Sequence, residues 1–144
     1  MITEDYVSFE VAKLLKEKGF GIEEETCGYY PTKGDALGRL MFGAEYHHNT
    51  SQVQIAAPTQ SDAMKWLREN HNVFIEMKRD NQYYLGMPVT PVTKEDKERG
   101  HKPLYYANVL DEKADSMTTE KRESYEEAVE EALKIALKNE MYLK

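Results

Sequence analysis

The sequence predicts an α+β fold, with an antiparallel sheet that carries helices packed on one face. Two observations support this class: three segments place apolar residues at helical spacing, and two groups of β-type segments lie between them. The predicted order of elements is α-β-β-(β)-α-β-β-β-α. Because the chain of 144 residues has no internal repeat, low-complexity segment or boundary linker, we expect residues 1–144 to form a single domain with one core.

The composition favours a small acidic protein of the cytoplasm. Charged residues make up 31% of the chain, and no apolar run approaches the ~20 residues that a membrane-spanning helix needs. The segment from Met1 to Asp5 is acidic and lacks the apolar region of a secretion signal. The single cysteine, Cys27, cannot form an internal disulfide, which fits a reducing compartment. A net charge of −7 argues mildly against non-specific binding of nucleic acid.

The first helix is predicted over residues 7–18, because its apolar residues recur at helical spacing. Two starts are open: Thr3 can cap a longer helix, or Ser8 can cap a shorter one. The end is indicated by Gly19, which readily takes the left-handed conformation, and by Phe20, which can fold back onto the helix.

The segment Pro58–His71 is predicted to be a capped helix that leads into a strand. Thr59 can cap the first turn with its hydroxyl group. One face of the helix is apolar and includes Leu67 and the only tryptophan, Trp66. His71 ends the helix, where its imidazole can hydrogen-bond the free carbonyls. We expect Trp66, Leu67 and His71 to form the structural centre of the fold.

The strands are predicted in two groups. Residues 22–57 are expected to form two or three strands with open loops, and the sequence leaves open whether they join the same sheet as the later strands. The second group follows the central helix and consists of residues 73–78, 83–87 and 104–110. The first two of these are separated by a turn signal, which predicts a hairpin. Residues 90–102 and 111–123 are polar and are expected to be connections, the first of them exposed and mobile.

A long helix closes the chain. Ser124 and Glu127 match a capping box at its start. Alanines and leucines form a wide apolar face, while glutamates crowd the first turns and lysines the last, as the helix dipole favours. Glu130 and Lys134 have the spacing of a supporting ion pair on the exposed face.

Five residues are candidate metal ligands: Cys27, His47, His48, His71 and His101. They share none of the spacings of structural zinc sites, so we predict no metal-binding residue and no cofactor. The sequence identifies no base that would activate the cysteine as a nucleophile, and we expect it to be a buried or half-buried small side chain. No catalytic residue is predicted.

Adjacent tyrosines in the predicted strands are the strongest indication of an interaction surface. Successive side chains of a strand point to opposite faces, so one tyrosine of each pair should face away from the helices. The residues of this predicted surface are Tyr83, Tyr84, Tyr105, Tyr106 and Phe74. Tyrosine also suits half-exposed strands on structural grounds alone. Aromatic residues are enriched at interfaces, so the expected partner is another protein or a second copy of the chain.

Three blocks of the sequence stand out: residues 7–20, the pattern APTQxxAxxWLRExH over residues 57–71, and residues 125–133. Together they resemble a group of small uncharacterised proteins encoded by bacteriophages and mobile elements of gut bacteria. The resemblance implies a genomic setting of that kind and supplies no catalytic residue.

The functional hypothesis is therefore a cytosolic phage or mobile-element accessory protein that acts by protein–protein contact and not by catalysis. One alternative is a nucleic-acid-binding module, because the order helix-strand-strand-strand-helix from residue 59 is that of double-stranded RNA-binding domains. The glutamates on the closing helix would repel phosphate, and they are Glu123, Glu126, Glu127, Glu130 and Glu131. A second alternative is an enzyme with a site assembled from scattered residues.

Overall fold

The computed structural model of the chain has the predicted α+β class, with three helices and two three-stranded antiparallel sheets in its described part. The described residues are 5–22, 24–47, 54–80, 83–84, 87–88, 104–111, 113 and 116–138. Their helices are α1 (Phe9–Glu17), α2 (Gln60–His71) and α3 (Tyr125–Lys138). Their strands are β1 (Thr26–Pro31), β2 (Met41–His47), β3 (Gln54–Ala57), β4 (Phe74–Asp80), β5 (Tyr83–Tyr84), β6 (Met87–Pro88), β7 (Leu104–Leu110) and β8 (Ser116–Thr118).

The helix boundaries follow the caps that the sequence predicts. Ser8 caps α1, and its hydroxyl accepts a hydrogen bond from the Val11 amide at 3.2 Å. This settles the start of the helix in favour of the shorter alternative. Gly19 has a φ of 97°, and the Phe20 amide donates to the Leu15 carbonyl at 3.0 Å, so the chain folds back as expected. Thr59 caps α2 by accepting from the Asp62 amide at 3.1 Å.

The strands form two separate three-stranded sheets. The first has the order β2-β1-β3 and the second the order β4-β7-β8, and all neighbouring strands in both are antiparallel. The strands between residues 26 and 57 therefore do not join the sheet that follows α2.

Two predictions about the second sheet are wrong. The strand β4 does not form a hairpin with residues 83–87. It pairs with β7 over all seven residues, while β5 and β6 pair with each other. The segment 111–123 is not only a connection, since β8 lies in it and pairs with β7. Residues 90–102, which the sequence predicts to be an exposed loop, lie outside the described residues.

The helices join the two sheets around one apolar cluster. α3 packs against β7 and α1, and α1 packs in turn against β3. The cluster includes residues of both sheets and all three helices, so burial of apolar area stabilises both sheets together. Trp66, Leu67 and Leu133 are buried in it as predicted, and Leu14 and Ile75 are partly buried against it.

None of the helices in the described residues is long and apolar enough to cross a lipid bilayer.

Candidate functional site

The second sheet has one face toward the helices and one face away from them. Ala107 and Val109 of β7 are fully buried, and α3 packs against this strand. Because side chains alternate along a strand, their neighbours in β7 point to the other side. We call that side the outer face, and its central residues are Phe74, Glu76, Lys78, Tyr106, Asn108 and Leu110.

The strand register arranges the outer face in rows. Directly opposite residues of an antiparallel pair share a face, and Phe74 of β4 lies opposite Leu110 of β7. The next row on the same face joins Glu76 to Asn108, and the third joins Lys78 to Tyr106. The outer face thus has apolar residues at one end, an aromatic residue at the other and a polar row between them.

The exposure of these side chains is unequal. Phe74 leaves 44% of its surface exposed, while Tyr106 and Leu110 are half-buried. The polar groups are paired along the sheet surface, since Glu76 forms an ion pair with Lys78. Glu76 raises the pKa of Lys78 above its ordinary value through this bond and its charge. A large exposed aromatic ring beside locally paired charges is a surface that another protein can cover without leaving a charge unpaired.

The two tyrosines of β7 have different environments. Tyr106 lies on the outer face with Phe74, as the alternation of the strand predicts. Tyr105 lies on the helix side, where its ring contacts the ring of Tyr125 with 5.9 Å between centroids. Its amide and carbonyl also bond the backbone of Arg122 at 2.7 and 2.8 Å, which fixes the chain just before α3. Tyr105 is therefore separated from the outer face.

Tyr83 and Tyr84 form β5 and lie opposite Pro88 and Met87. Their side chains lie outside the described residues. Of the five residues predicted to form the interaction surface, the structure places Phe74 and Tyr106 on the same face, at opposite ends of it.

The predicted structural centre lies on the opposite side of the second sheet. Leu67 is fully buried, and the Trp66 indole donates to Glu24 at 3.1 Å. The Trp66 ring makes edge contacts with Phe20 and His71, with centroids 5.4 and 4.8 Å away. The imidazole therefore packs on an aromatic ring at the helix end. Burial, and to a smaller extent the charge of Lys18, lowers the pKa of His71 below its ordinary value.

A groove of about 590 Å³ lies where α1, α2 and α3 meet, and its lining carries several charged residues. Glu130 of α3 lines this groove and is half-buried. Its Oε1 accepts from the Ser8 amide at 3.0 Å and from the Gln60 side-chain amide at 3.2 Å. The prediction that Glu130 pairs with Lys134 on the exposed face is wrong, because Lys134 bonds Glu10 instead, at 3.1 Å. Glu130 thus links α3 to the starts of α1 and α2. Sequence spacing does not indicate this linking role, because both partners lie far from Glu130 along the chain.

Three other charged side chains of the groove are also held by neighbours. Glu131 forms an ion pair with Arg122 at 3.0 Å, and Glu126 accepts from the Ser124 hydroxyl at 2.8 Å. Glu130 Oε2 is buried and accepts no hydrogen bond from any group in the described residues. Burial, and to a smaller extent the negative charge of Glu130, raises the pKa of Tyr30 above its ordinary value. The Tyr30 hydroxyl donates to the Val7 carbonyl at 2.6 Å. These contacts make the groove a junction between helices.

Of the five candidate metal ligands, the structure describes the side chains of Cys27 and His71. Within the part of the chain that the structure describes, no group of three or more histidine, cysteine or acidic side chains is placed to hold a metal ion. Cys27 is exposed, so its predicted burial is wrong. The side chain of His47, and all of His48 and His101, lie outside the described residues.

Comparison of the chain with protein-family models, with curated proteins and with solved structures finds no match.

Proposed function

We propose that this chain is a cytoplasmic accessory protein of a phage or mobile element, and that it acts by binding another protein through the outer face of its second sheet. The observation that carries the proposal is that Phe74 and Tyr106 both lie on the face opposite the helices, where Phe74 is 44% exposed. The genomic setting in this proposal is the one that the sequence resemblance implies.

Composition favours this face over the outer surfaces of the helices. Interface cores are enriched in aromatic residues and depleted of charged ones. After Tyr125, which is exposed at the first position of α3 and contacts Tyr105, the exposed positions of that helix carry Glu126, Glu127 and Lys138. Those of α2 include Lys65 and Glu69. Such side chains are strongly hydrated, so their burial against a partner would cost free energy unless each charge were paired.

The described contacts also leave the outer face open to a partner. Among the described elements, the main contacts of β1 and β3 run to each other, to β2 and to α1, and not to β4, β7 or β8. The first sheet therefore does not form a layer over the outer face. A sheet face with an exposed aromatic residue is a suitable surface for a partner to cover.

Nucleic-acid binding is a second candidate, because the three strands of the second sheet, β4, β7 and β8, lie between α2 and α3 in the chain. The charges at the start of α3 argue against it. Arg122 is held by Glu131 at 3.0 Å and by Glu120 at 3.3 Å, which raises its pKa further and leaves its charge compensated. Exposed glutamates in the first turn of α3 would repel phosphate.

A capture experiment with matched variants tests the proposal. Tagged wild-type protein and the double variant Phe74→Ser/Tyr106→Ser are incubated with lysate of the host, and bound proteins are compared with and without nuclease. The control variant is Phe42→Ser, which removes another exposed aromatic residue, 58% exposed, from the first sheet. We expect a protein that is retained by the wild type and the control, lost with the double variant and insensitive to nuclease. Equal capture by all three variants, or capture that nuclease abolishes, would contradict the proposal.

A further inference from the structure

The strand β4 lies at an edge of the second sheet. Its seven residues pair with β7 on one side, and β7 in turn pairs with β8. Among the strands that the structure describes, none pairs with the other side of β4. An edge strand of this length presents a row of backbone donors and acceptors that another strand can use.

Two of the charged residues of β4 flank its central residue symmetrically, and Arg79 and Asp80 follow them at the end of the strand. Met77 is the fourth of the seven residues, with Glu76 before it and Lys78 after it. Both charged side chains lie on the outer face, and Met77 lies on the helix side, opposite Ala107. Rotation of β4 by 180° about an axis through Met77 exchanges the positions of Glu76 and Lys78. The acidic residue of one strand would then lie opposite the basic residue of the rotated strand.

We propose that β4 pairs antiparallel with β4 of a second copy of this chain, with the two-fold axis at Met77. In this register Glu76 of each copy lies opposite Lys78 of the other, so two opposite-charge pairs form across the new strand boundary. Met77 meets the same residue of the second copy on the helix side, where it is already partly buried against the core. The result is a continuous six-stranded sheet with an isologous interface.

The same charges disfavour the neighbouring registers. In a dimer whose two-fold axis is perpendicular to the sheet, the outer faces of both copies lie on the same side. Residues opposite each other must then share a face, so the neighbouring registers are those in which the axis moves from Met77 to the residue before or after it. With the axis at Glu76, that residue lies opposite Glu76 of the second copy. With the axis at Lys78, that residue lies opposite Lys78 of the second copy. Like charges directly opposite each other destabilise a strand pair. Charged residues on edge strands commonly prevent pairing, but here they prevent only the wrong registers.

The inference goes beyond the proposed function and does not rest on it, because it concerns the edge of the sheet and a second copy of the chain. Pairing at β4 would place the two outer faces side by side on one surface.

Charge exchange tests the register directly. The dissociation constant of the dimer is measured by sedimentation equilibrium for the wild type, Glu76→Lys, Lys78→Glu, an equimolar mixture of these two variants, and the double variant E76K/K78E. We expect a concentration-dependent dimer for the wild type and dissociation constants about tenfold or more higher for each single variant alone, since two opposite-charge pairs become like-charge pairs. The mixture and the double variant each restore two opposite-charge pairs, and both should recover the dimer.

Matched controls come from α2, where Lys65 and Glu69 form an exposed ion pair at 4.0 Å. Glu69→Lys and Lys65→Glu change the net charge by the same amounts, and we expect them to leave the dissociation constant unchanged. Recovery in the mixture also shows that both single variants are folded. A wild type that remains monomeric at all concentrations, single variants that dimerise as the wild type does, or a mixture that fails to recover would overturn the proposal.

Discussion

Single residues in this protein take their roles from the side of the strand on which they lie. Tyr105 and Tyr106 are adjacent in sequence, yet one contacts Tyr125 beside α3 and the other lies on the outer face. Tyr30 is likewise buried with its hydroxyl bonded to Val7, while its neighbour Tyr29 is half-buried. The chemical type of a residue therefore predicts its function here only together with its position in the sheet.

Truncation of the buried leucines should strongly destabilise the fold. Leu67 and Leu133 are fully buried in the common apolar cluster. We expect Leu67→Ala and Leu133→Ala each to lower the free energy of unfolding by about 2–5 kcal/mol, through lost apolar burial and a residual cavity. Urea denaturation measures the effect, and Leu37→Ala, which changes an exposed leucine, should shift it by less than about 0.5 kcal/mol. Losses near zero at both buried sites would show that the helix faces are assigned wrongly.

His71 should make stability depend on pH near neutrality. Its pKa in the folded protein is below the ordinary value of 6.5, first because of burial. The unfolded chain therefore takes up this proton at higher pH than the folded protein does. The contribution of neutral His71 to the free energy of unfolding is complete above pH 6.5. It is lost as the pH falls below 6.5 toward the lowered pKa of the folded protein.

The check is urea denaturation of the wild type and of His71→Gln between about pH 7.5 and 5.5. We expect the midpoint of the wild type to fall over this interval and the variant to show a smaller fall. An identical pH dependence in both proteins would assign the effect to other groups.

At the scale of elements, Glu130 joins three helices. It belongs to α3, and its carboxylate accepts from the backbone at the start of α1 and from Gln60, the first residue of α2. One carboxylate thus bonds groups at the N-terminal ends of two other helices. The Gln60 side chain also donates to the Glu126 carbonyl at 3.1 Å, which adds a second bond between α2 and α3.

Removal of this carboxylate should therefore destabilise the protein. We expect Glu130→Ala to cost about 1–3 kcal/mol, because it leaves partly buried donors without an acceptor. Glu130→Gln should cost less, since its carbonyl oxygen can still accept. The control Glu127→Ala, at an exposed position of the same helix, should cost less than about 1 kcal/mol. Chemical denaturation gives all three values, and a loss at Glu130 no larger than at Glu127 would contradict the bridging role.

The helices could be predicted well because their signals are local. Ser8, Thr59 and Gly19 act within one turn of the helix ends that they define, and the sequence contains all of that information. The bridging role of Glu130 could not be predicted, because its partners lie 122 and 70 residues away along the chain.

The strand partners were harder to predict for the same reason. β8 consists of Ser116, Met117 and Thr118, which have no apolar alternation and are exposed. Its place is fixed by pairing with β7, and next to it the Thr119 hydroxyl accepts from the Ala107 amide at 2.8 Å. The turn signal after β4 indicated a nearby hairpin, but β7 matches β4 over seven residues and is the partner that forms.

At the scale of the whole molecule, the helices join two sheets and leave the outer face of the second sheet without a layer of described elements over it. α1 and α3 bury one side of each sheet in a common core. The opposite side of the second sheet carries Phe74 and Tyr106 with locally paired charges between them. This division between a core side and an outer side is the structural basis of the proposed protein–protein contact.

Site-specific photo-crosslinking tests that claim most directly. A benzoylphenylalanine residue is placed at position 74, 106 or 42 of the full chain in host cells, which are irradiated before the adducts are identified by mass spectrometry. Position 42 is the control, since Phe42 is an exposed aromatic residue on the other sheet. We predict adducts with the same protein from positions 74 and 106 and no such adduct from position 42. Adducts absent at positions 74 and 106, or equally abundant at position 42, would contradict the account.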